Sequence, residues 1–240
     1  MSVGFGRMML LRKKFPLALF SPKERTAYFI SNIALLLIII LGVAVDQLTK
    51  VQSENTLMVH SSEDNPREYR GTIYPIFRFG DPERAKIDGH YFGFNFSYVR
   101  NPGAAWGMLS SLDDNIRVPF FNVLTLVCII FIILFLRATP LSHRMARLSL
   151  TMILAGAVGN MIDRFRLNYV IDWLDVRWSI GGWYYAFPNF NIADSLISLG
   201  AMLFIVDAIF FEGWRRKRLT PDNHVLLEEN AKLSELLENI

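Results

Sequence analysis

Four long apolar runs constrain the fold of this chain more than any other feature of its sequence. They are separated by polar segments, in a chain of 240 residues that is 52% hydrophobic and 20% charged, with a mean hydropathy of +0.29. As a helix, a run of about 19 residues, such as 27–45, rises about 28 Å, which matches the hydrocarbon thickness of a bilayer. The sequence therefore predicts four membrane-spanning helices, at about 27–45, 118–136, 148–162 and 192–211.

Basic residues predict the direction in which these helices cross the membrane. They cluster before the first run, between the second and third, and after the fourth, and such clusters favour the cytoplasmic side. Both termini are then cytoplasmic, with a basic extension at 1–26 and an amphipathic tail at 213–240. Basic residues within 52–90 oppose this orientation, but long loops weigh less in the rule. Because the net charge is only +3, no nucleic-acid surface is expected.

The outer segment 46–117 contains a candidate strand. Apolar and small or polar residues alternate from Tyr91 to Tyr98, which would place Phe92, Phe94, Phe96 and Tyr98 on one face. An aromatic face beside membrane spans suits the lipid interface. We therefore expect an all-α membrane protein whose four-helix domain, 27–212, carries a small extracytoplasmic β-cradle.

Aspartates gather at the outer ends of the predicted spans. A carboxylate at a membrane border is costly to desolvate, so it usually has a chemical task or a partner. Two such groups brought together can share a proton and activate water, as in an aspartyl hydrolase. The four aspartates that this topology places on the outer side, at the ends of the spans or in the loop that follows, are Asp46, Asp163, Asp172 and Asp194.

Local spacing leaves two questions about these aspartates open. Asp175 lies three residues beyond Asp172 and competes with it for a catalytic role. Asp194 opens the fourth run, where it would complement the helix dipole, and Asn191 is placed to cap the same helix. For Asp194 taken alone, this structural explanation is as good as a catalytic one.

Other chemistries and functions have weaker support in the sequence. The four histidines are scattered without ligand spacing, and the one cysteine, Cys128, lies inside an apolar run. A serine with Lys50 as its base would need a nucleophile motif, which is absent. An ion-coupled carrier would place polar groups near mid-membrane, whereas here they collect at one border. A non-enzymatic assembly factor that binds through the tail is the remaining alternative.

Five short motifs occur in order along the chain. They are Asp46-Gln-Leu-Thr-Lys50, Asn101-Pro-Gly-Ala-Ala-Trp106, Gly159-Asn-Met-Ile-Asp-Arg164, Val170-Ile-Asp172 and Phe190-Asn-Ile-Ala-Asp194. Together they closely resemble the bacterial lipoprotein signal peptidase family, also called signal peptidase II, and the resemblance covers about residues 27–212. It implies a four-helix peptidase of the bacterial inner membrane that cleaves prolipoproteins just before a cysteine that carries diacylglycerol.

The resemblance also implies roles for individual residues. It makes Asp172 and Asp194 the catalytic pair, in preference to Asp175. It implies a prolipoprotein substrate, inhibition by globomycin and no metal. We also expect no other cofactor, contact with membrane lipid, and a monomer. The segment 52–90 is longer than this family usually carries. The positions that would shape the site or hold substrate are Asp46, Lys50, Asn101, Gly103, Ala104, Asn160, Asp163, Arg164, Asn191 and Ala193.

Overall fold

The computed structural model describes residues 22–58, 73–87, 89–103 and 113–211. Four long helices form a bundle, and each is long and apolar enough to cross a membrane, so the chain is a multi-pass membrane protein. The predicted set of four spans is confirmed. The helices are α1 (Pro22–Leu57), α2 (Asp114–Ala138), α3 (Arg144–Leu167) and α4 (Ile192–Val206), which continues as a π-helical turn, Asp207–Phe211.

The helices run further than the apolar runs that predicted them. The first was expected to end at the charged residue Asp46, yet α1 continues to Leu57, about three more turns. Asp46 and Lys50 do not stop the helix because they are one turn apart and pair with each other. Polarity marks the border of the apolar run, whereas backbone hydrogen bonding marks the end of the helix.

A four-stranded antiparallel sheet lies against one end of the bundle, which we call the sheet end. Its strands are β1 (Tyr74–Phe79), β2 (Tyr91–Asn101), β3 (Val170–Ile180) and β4 (Trp183–Ala186), paired in that order. The strand expected at Tyr91 to Tyr98 is confirmed as β2. Because β2 precedes α2 and β3 follows α3, the sheet joins two chain segments that are distant in sequence.

The aromatic face expected on β2 is only partly correct. Phe92 and Phe96 are exposed, but Tyr98 is fully buried against Leu57 and Ile171. The pairing register between β2 and β3 shifts after Phe96, so the alternation of side chains is interrupted there. The prediction that placed Tyr98 with the exposed aromatics was wrong for this reason.

Glycines bring α3 close to its neighbours. A Cβ atom on Gly156 would overlap the carbonyl oxygen of Ala193 on α4, and one on Gly159 would lie 2.6 Å from Oδ2 of Asp46 on α1. Both positions therefore require glycine for the helices to approach as they do. This close packing brings residues of α1, α3 and α4 together at the sheet end.

Several predictions concern residues outside the described ranges. They include most of the basic extension 1–26, all of the tail 213–240, part of the segment 52–90, and Ala104. The assignment of the sheet to the outer side of the membrane also stays a prediction.

The glycine contacts predict a graded effect on stability. Gly156→Ala should lower the melting temperature in detergent strongly, because overlap with backbone costs about 1–3 kcal/mol and exceeds the gain in helix propensity of about 1 kcal/mol. Gly42→Ala should have a smaller effect, since its Cβ would lie 3.2 Å from two side-chain carbons, a contact that a shift of a few tenths of an ångström relieves. Equal melting temperatures for the two variants would contradict this account of helix packing.

Candidate active site

A buried lysine lies between two buried aspartates at the sheet end of the bundle. Nζ of Lys50 is 2.8 Å from Oδ2 of Asp46 and 2.9 Å from Oδ2 of Asp163. It also donates a hydrogen bond of 2.9 Å to Oδ1 of Asn160. Burying a charge is costly unless it is paired and hydrogen-bonded, and all three donors of this ammonium have acceptors. We call Asp46, Lys50 and Asp163 the ion cluster.

The ion cluster connects three helices and the sheet. Oδ1 of Asp46 accepts a hydrogen bond of 2.9 Å from the backbone N–H of Ala193, at the start of α4. Oδ2 of Asp163 accepts one of 3.1 Å from the backbone N–H of Ile171, on β3. Ala193 of α4 and Ile171 of β3 are thereby fixed relative to α1 and α3.

Gln47 is a member of this network to which the sequence analysis gave no role. Its Nε2 lies 2.9 Å from Oδ1 of Asp163 and 3.1 Å from the carbonyl oxygen of Gly159. Gln47 stands inside the first motif, but a single sequence does not reveal which face of α1 meets α3. It ties α1 to α3 beside the ion cluster.

Asp194 belongs to a capping box at the start of α4, and the predicted cap at Asn191 is confirmed. The Asp194 N–H donates to Oδ1 of Asn191 at 2.9 Å, and the Asn191 N–H donates to Oδ2 of Asp194 at 3.2 Å. The other carboxylate oxygen, Oδ1, accepts a hydrogen bond of 2.7 Å from Nδ2 of Asn160. Asp194 therefore caps the helix and also joins the network around Lys50.

Asp172 lies buried on β3 and is bonded to two asparagines. Nδ2 of Asn191 is 2.8 Å from its Oδ1, and Nδ2 of Asn101 is 2.9 Å from its Oδ2. Oδ1 of Asn101 accepts from the N–H of Gly103 at 3.1 Å, which fixes the orientation of that amide. Asn191 thus contacts both aspartates, because its side-chain NH₂ donates to Asp172 and its backbone N–H donates to the carboxylate of Asp194.

The surroundings of Asp172 favour its neutral form. Burial raises the pKa of Asp172 to about 8, and the nearby charge of Asp194 acts in the same direction. The amide donors of Asn101 and Asn191 and the charge of Lys50 oppose this effect without cancelling it. Burial and the neighbouring carboxylate therefore both favour a proton on this pair of carboxyl groups.

Asp175, the competitor of Asp172, is in a different environment. Nε of Arg177 is 2.8 Å and 3.0 Å from its two carboxylate oxygens, and Nδ2 of Asn95 donates to it at 2.7 Å. Its charge is therefore balanced by a neighbouring cation. None of its hydrogen bonds among the described residues leads to Asn191 or Asp194.

Most of the residues expected at the site are joined by the hydrogen bonds described above. Arg164 and Ala104 are the two that are not. Arg164 stacks on the ring of Phe121, with its Cζ 5.9 Å from the ring centroid, and it is near enough to interact electrostatically with Asp172 and Asp194. Ala104 lies outside the described ranges. Among the described residues, no group of three or more His, Cys, Asp or Glu side chains is arranged to hold a metal ion. The residues joined by the hydrogen bonds above are Asp46, Lys50, Asn101, Gly103, Asn160, Asp163, Asp172, Asn191, Ala193 and Asp194.

Comparison with known proteins agrees with this geometry. A family model described as signal peptidase (SPase) II matches residues 38–210. The lipoprotein signal peptidase of Syntrophotalea carbinolica is 36% identical over 172 residues, which cover 72% of this chain and 88% of the relative. That of Geobacter metallireducens is 44% identical over 130 residues, covering 54% of this chain and 74% of the relative.

A solved structure is also similar. It is a bacterial membrane enzyme determined by the in meso method at 2.3 Å resolution, with a TM-score of 0.52 and 28% identity over 75% of this chain and 92% of that one. The fold and the family model define the class of this protein as a membrane-spanning peptidase. The chain belongs to the signal peptidase II family.

The raised pKa of Asp172 predicts how stability depends on pH. The native protein binds this proton more tightly than the unfolded chain, in which the pKa is about 3.8, so stability should fall as pH rises from about 4 to about 8. An asparagine at this position does not ionise, so Asp172→Asn removes this fall in stability. The melting temperature of the variant should therefore exceed that of the wild type by a margin that grows as pH rises over this range. A difference in melting temperature that does not change with pH would show that Asp172 is ionised in the native protein.

Proposed function

We propose that this protein is an aspartic endopeptidase that removes signal peptides from prolipoproteins, cleaving just before a cysteine that carries diacylglycerol. The observation that carries the proposal is that Asn191 donates to both carboxyl groups, through its side chain to the buried Asp172 and through its backbone N–H to the half-buried Asp194. Membership of the signal peptidase II family supports the substrate class.

Asp194 is the general base in this proposal. It lies in the first turn of α4, where the helix dipole and the N–H of Asn191 both favour a negative charge. Asn160 donates to the other oxygen of the carboxylate and is itself held by Lys50. The ionised form of Asp194 is therefore stabilised by groups that are already in place before substrate binds.

Asp172 is the general acid. It lies on a strand, away from any helix N-terminus, and its burial keeps the carboxyl group protonated at neutral pH. A carboxylic acid in this state can donate its proton to a substrate carbonyl. The two aspartates thus have different protonation states because their environments differ.

The reaction follows from these two states. Asp194 takes a proton from water as the water oxygen adds to the carbonyl carbon before the lipidated cysteine, and Asp172 gives its proton to the carbonyl oxygen. The resulting diol collapses when its C–N bond breaks. The departing nitrogen takes the proton held by Asp194, and one hydroxyl returns a proton to Asp172. The products are the carboxyl terminus of the signal peptide and the free amine of the lipidated cysteine.

The rest of the site supports substrate binding. Arg164 presents a guanidinium beside the dyad, for which the structure gives no hydrogen-bond partner among the described residues, so it is available for peptide or lipid oxygen atoms. The exposed aromatics of β2, Phe92 and Phe96, suit contact with the lipid surface. The lipid attached to the substrate would enter from the surrounding bilayer.

Topology and partners complete the proposal. The protein would act as a monomer in the bacterial inner membrane, with both termini in the cytoplasm and the sheet end at the outer face. The positions of basic residues in the sequence support this orientation. Globomycin would occupy the same site, and no cofactor is required. Neither a carrier nor an assembly factor is favoured by any contact described above.

Conservative substitutions test the dyad. Asp172→Asn and Asp194→Asn should each reduce cleavage of a diacylglyceryl-modified prolipoprotein by about a hundredfold or more, because each removes an acid or base. Asp175→Asn, which changes a buried aspartate of the same strand, is the matched control and should retain turnover. Cleavage would be followed by gel shift in detergent, with globomycin as the inhibitor. A folded Asp172→Asn or Asp194→Asn variant with normal turnover would refute the dyad.

The pH profile tests the assignment of acid and base. Because Asp172 must be protonated in the free enzyme, kcat/KM should fall as pH rises through about 8, and it should also fall at acid pH when Asp194 becomes protonated. Single-turnover rates of folded enzyme would be measured across this range. A rate that keeps rising above about pH 9 would exclude Asp172 as the acid.

A further inference from the structure

The extended end of α1 contacts the sheet through a cluster that no step of the proposed mechanism uses. We call it the α1–sheet joint, and it consists of Leu57, Met58, Tyr98, Arg100, Tyr169 and Ile171. Leu57, Tyr98 and Ile171 are buried, and Met58 and Tyr169 pack against them. The joint lies beyond Asp46 on α1 and therefore contacts only the part of the helix that exceeds the apolar run.

Tyr98 is the centre of the joint. It is fully buried, and its hydroxyl oxygen is 3.5 Å from Oε1 of Glu54 on α1. The register shift after Phe96 turns Tyr98 toward Leu57, although strict alternation would have placed it with the exposed aromatics. Burial raises the pKa of Tyr98 well above its usual value, so this hydroxyl does not titrate where the enzyme works.

Arg100 lies two residues beyond Tyr98 on β2, and its side chain contacts other residues of the joint. Its guanidinium carbon is 5.2 Å from the ring centroid of Tyr169 and 6.0 Å from that of Tyr98, and Nη2 is 3.5 Å from Sδ of Met58. A guanidinium between two aromatic rings is attracted to both. Arg100 thereby links β2, the end of α1 and the turn that precedes β3.

Ile171 connects the joint to the reacting groups. Its side chain packs against Tyr98, while its backbone N–H donates to Asp163 and its carbonyl oxygen accepts from Asn191 at 3.2 Å. Asp172 is the next residue, and adjacent side chains of a strand point to opposite faces. A displacement of Ile171 in the joint must therefore displace Asp172 relative to Asn191 and Asp194.

We propose that Tyr98 and Arg100 are positioning residues that hold Asp172 in reacting geometry by clamping Ile171 to the extended end of α1. The proposal rests on the proposed function. Each acts through the backbone of β3, because Tyr98 packs against Ile171 and Arg100 is the partner of Ile171 in the pairing of β2 with β3. Misplacing a catalytic group by about 1 Å is enough to cost up to about a hundredfold in rate.

The test compares Tyr98→Leu and Arg100→Gln with the wild type in cleavage of a diacylglyceryl-modified prolipoprotein. We expect kcat per folded enzyme to fall about tenfold with KM nearly unchanged, because geometry at Asp172 changes while substrate contacts remain. Tyr98→Phe and Arg100→Lys, which keep the ring and the charge, should recover most of the loss. Tyr91→Leu is the matched control, since Tyr91 is a buried tyrosine of the same strand that lies outside the joint.

The alkaline limb of the pH profile separates positioning from simple loss of stability. The charged groups that act on Asp172 are Asp194 from α4 and Lys50 from α1, with Arg164 of α3 nearby. Moving Asp172 away from Asp194 weakens their repulsion, so the limb should shift to lower pH in Tyr98→Leu and Arg100→Gln. A variant that only lowers the amount of folded enzyme leaves both kcat per folded molecule and the limb unchanged.

Each outcome decides the proposal. Unchanged kcat and an unshifted limb in either folded variant would overturn it, and if Tyr98→Leu does not fold, Arg100→Gln decides. A rise in KM alone would also overturn it, because that would indicate substrate contact. Absence of cleavage by the wild type would instead refute the proposed function, and this inference with it.

Discussion

The ammonium group of Lys50 lies between the carboxylates of Asp46 and Asp163, where α1, α3 and α4 meet the sheet. Four aspartates converge on this region, and those that are ionised would repel one another without a buried cation. Lys50 supplies that cation and orders its neighbours. Because Asn160 gives its oxygen to Lys50, its NH₂ group is left to face Asp194. Because Asp163 is paired with Lys50, its remaining hydrogen bonds hold Gln47 and Ile171.

The difference between Asp172 and Asp194 follows from the elements that carry them. Asp194 lies at a helix N-terminus, where a negative charge is favoured, whereas Asp172 lies buried on a strand. Asn191 is bonded to both through different atoms, since its oxygen accepts from the backbone of Asp194 and its NH₂ group donates to Asp172. One asparagine thus contacts both residues, and in the proposed mechanism their different environments give the proton to Asp172 and leave Asp194 ionised.

Much of this arrangement could be predicted from the sequence. Four apolar runs gave the four helices because length and hydropathy are sufficient to identify a span. The cap at Asn191 followed from its spacing to Asp194. The choice between Asp172 and Asp175 rested only on family resemblance, because local spacing in the sequence did not favour either residue. In the structure both are buried aspartates of one strand. The structure distinguishes them by their partners, because Arg177 neutralises Asp175, whereas the hydrogen bonds described for Asp172 come from the amides of Asn101 and Asn191.

Other features could not be predicted because they depend on contacts between distant segments. The continuation of α1 to Leu57 depends on pairing between Asp46 and Lys50 and on packing against β2. The burial of Tyr98 depends on a register shift that no local pattern reveals. Gln47 was missed because its partners, Asp163 and Gly159, lie on another helix. Each of these features concerns the meeting of α1 with the rest of the site.

The central claim is that Asp172 holds the proton of the pair while Asp194 is ionised. Infrared difference spectroscopy of the purified protein, with Asp172→Asn and Asp194→Asn to assign each carboxyl band, measures the two protonation states separately. The account predicts a protonated Asp172 at neutral pH whose titration midpoint falls in Asp194→Asn, because removing that charge removes a repulsion. An ionised Asp172 beside a protonated Asp194 at neutral pH would contradict it.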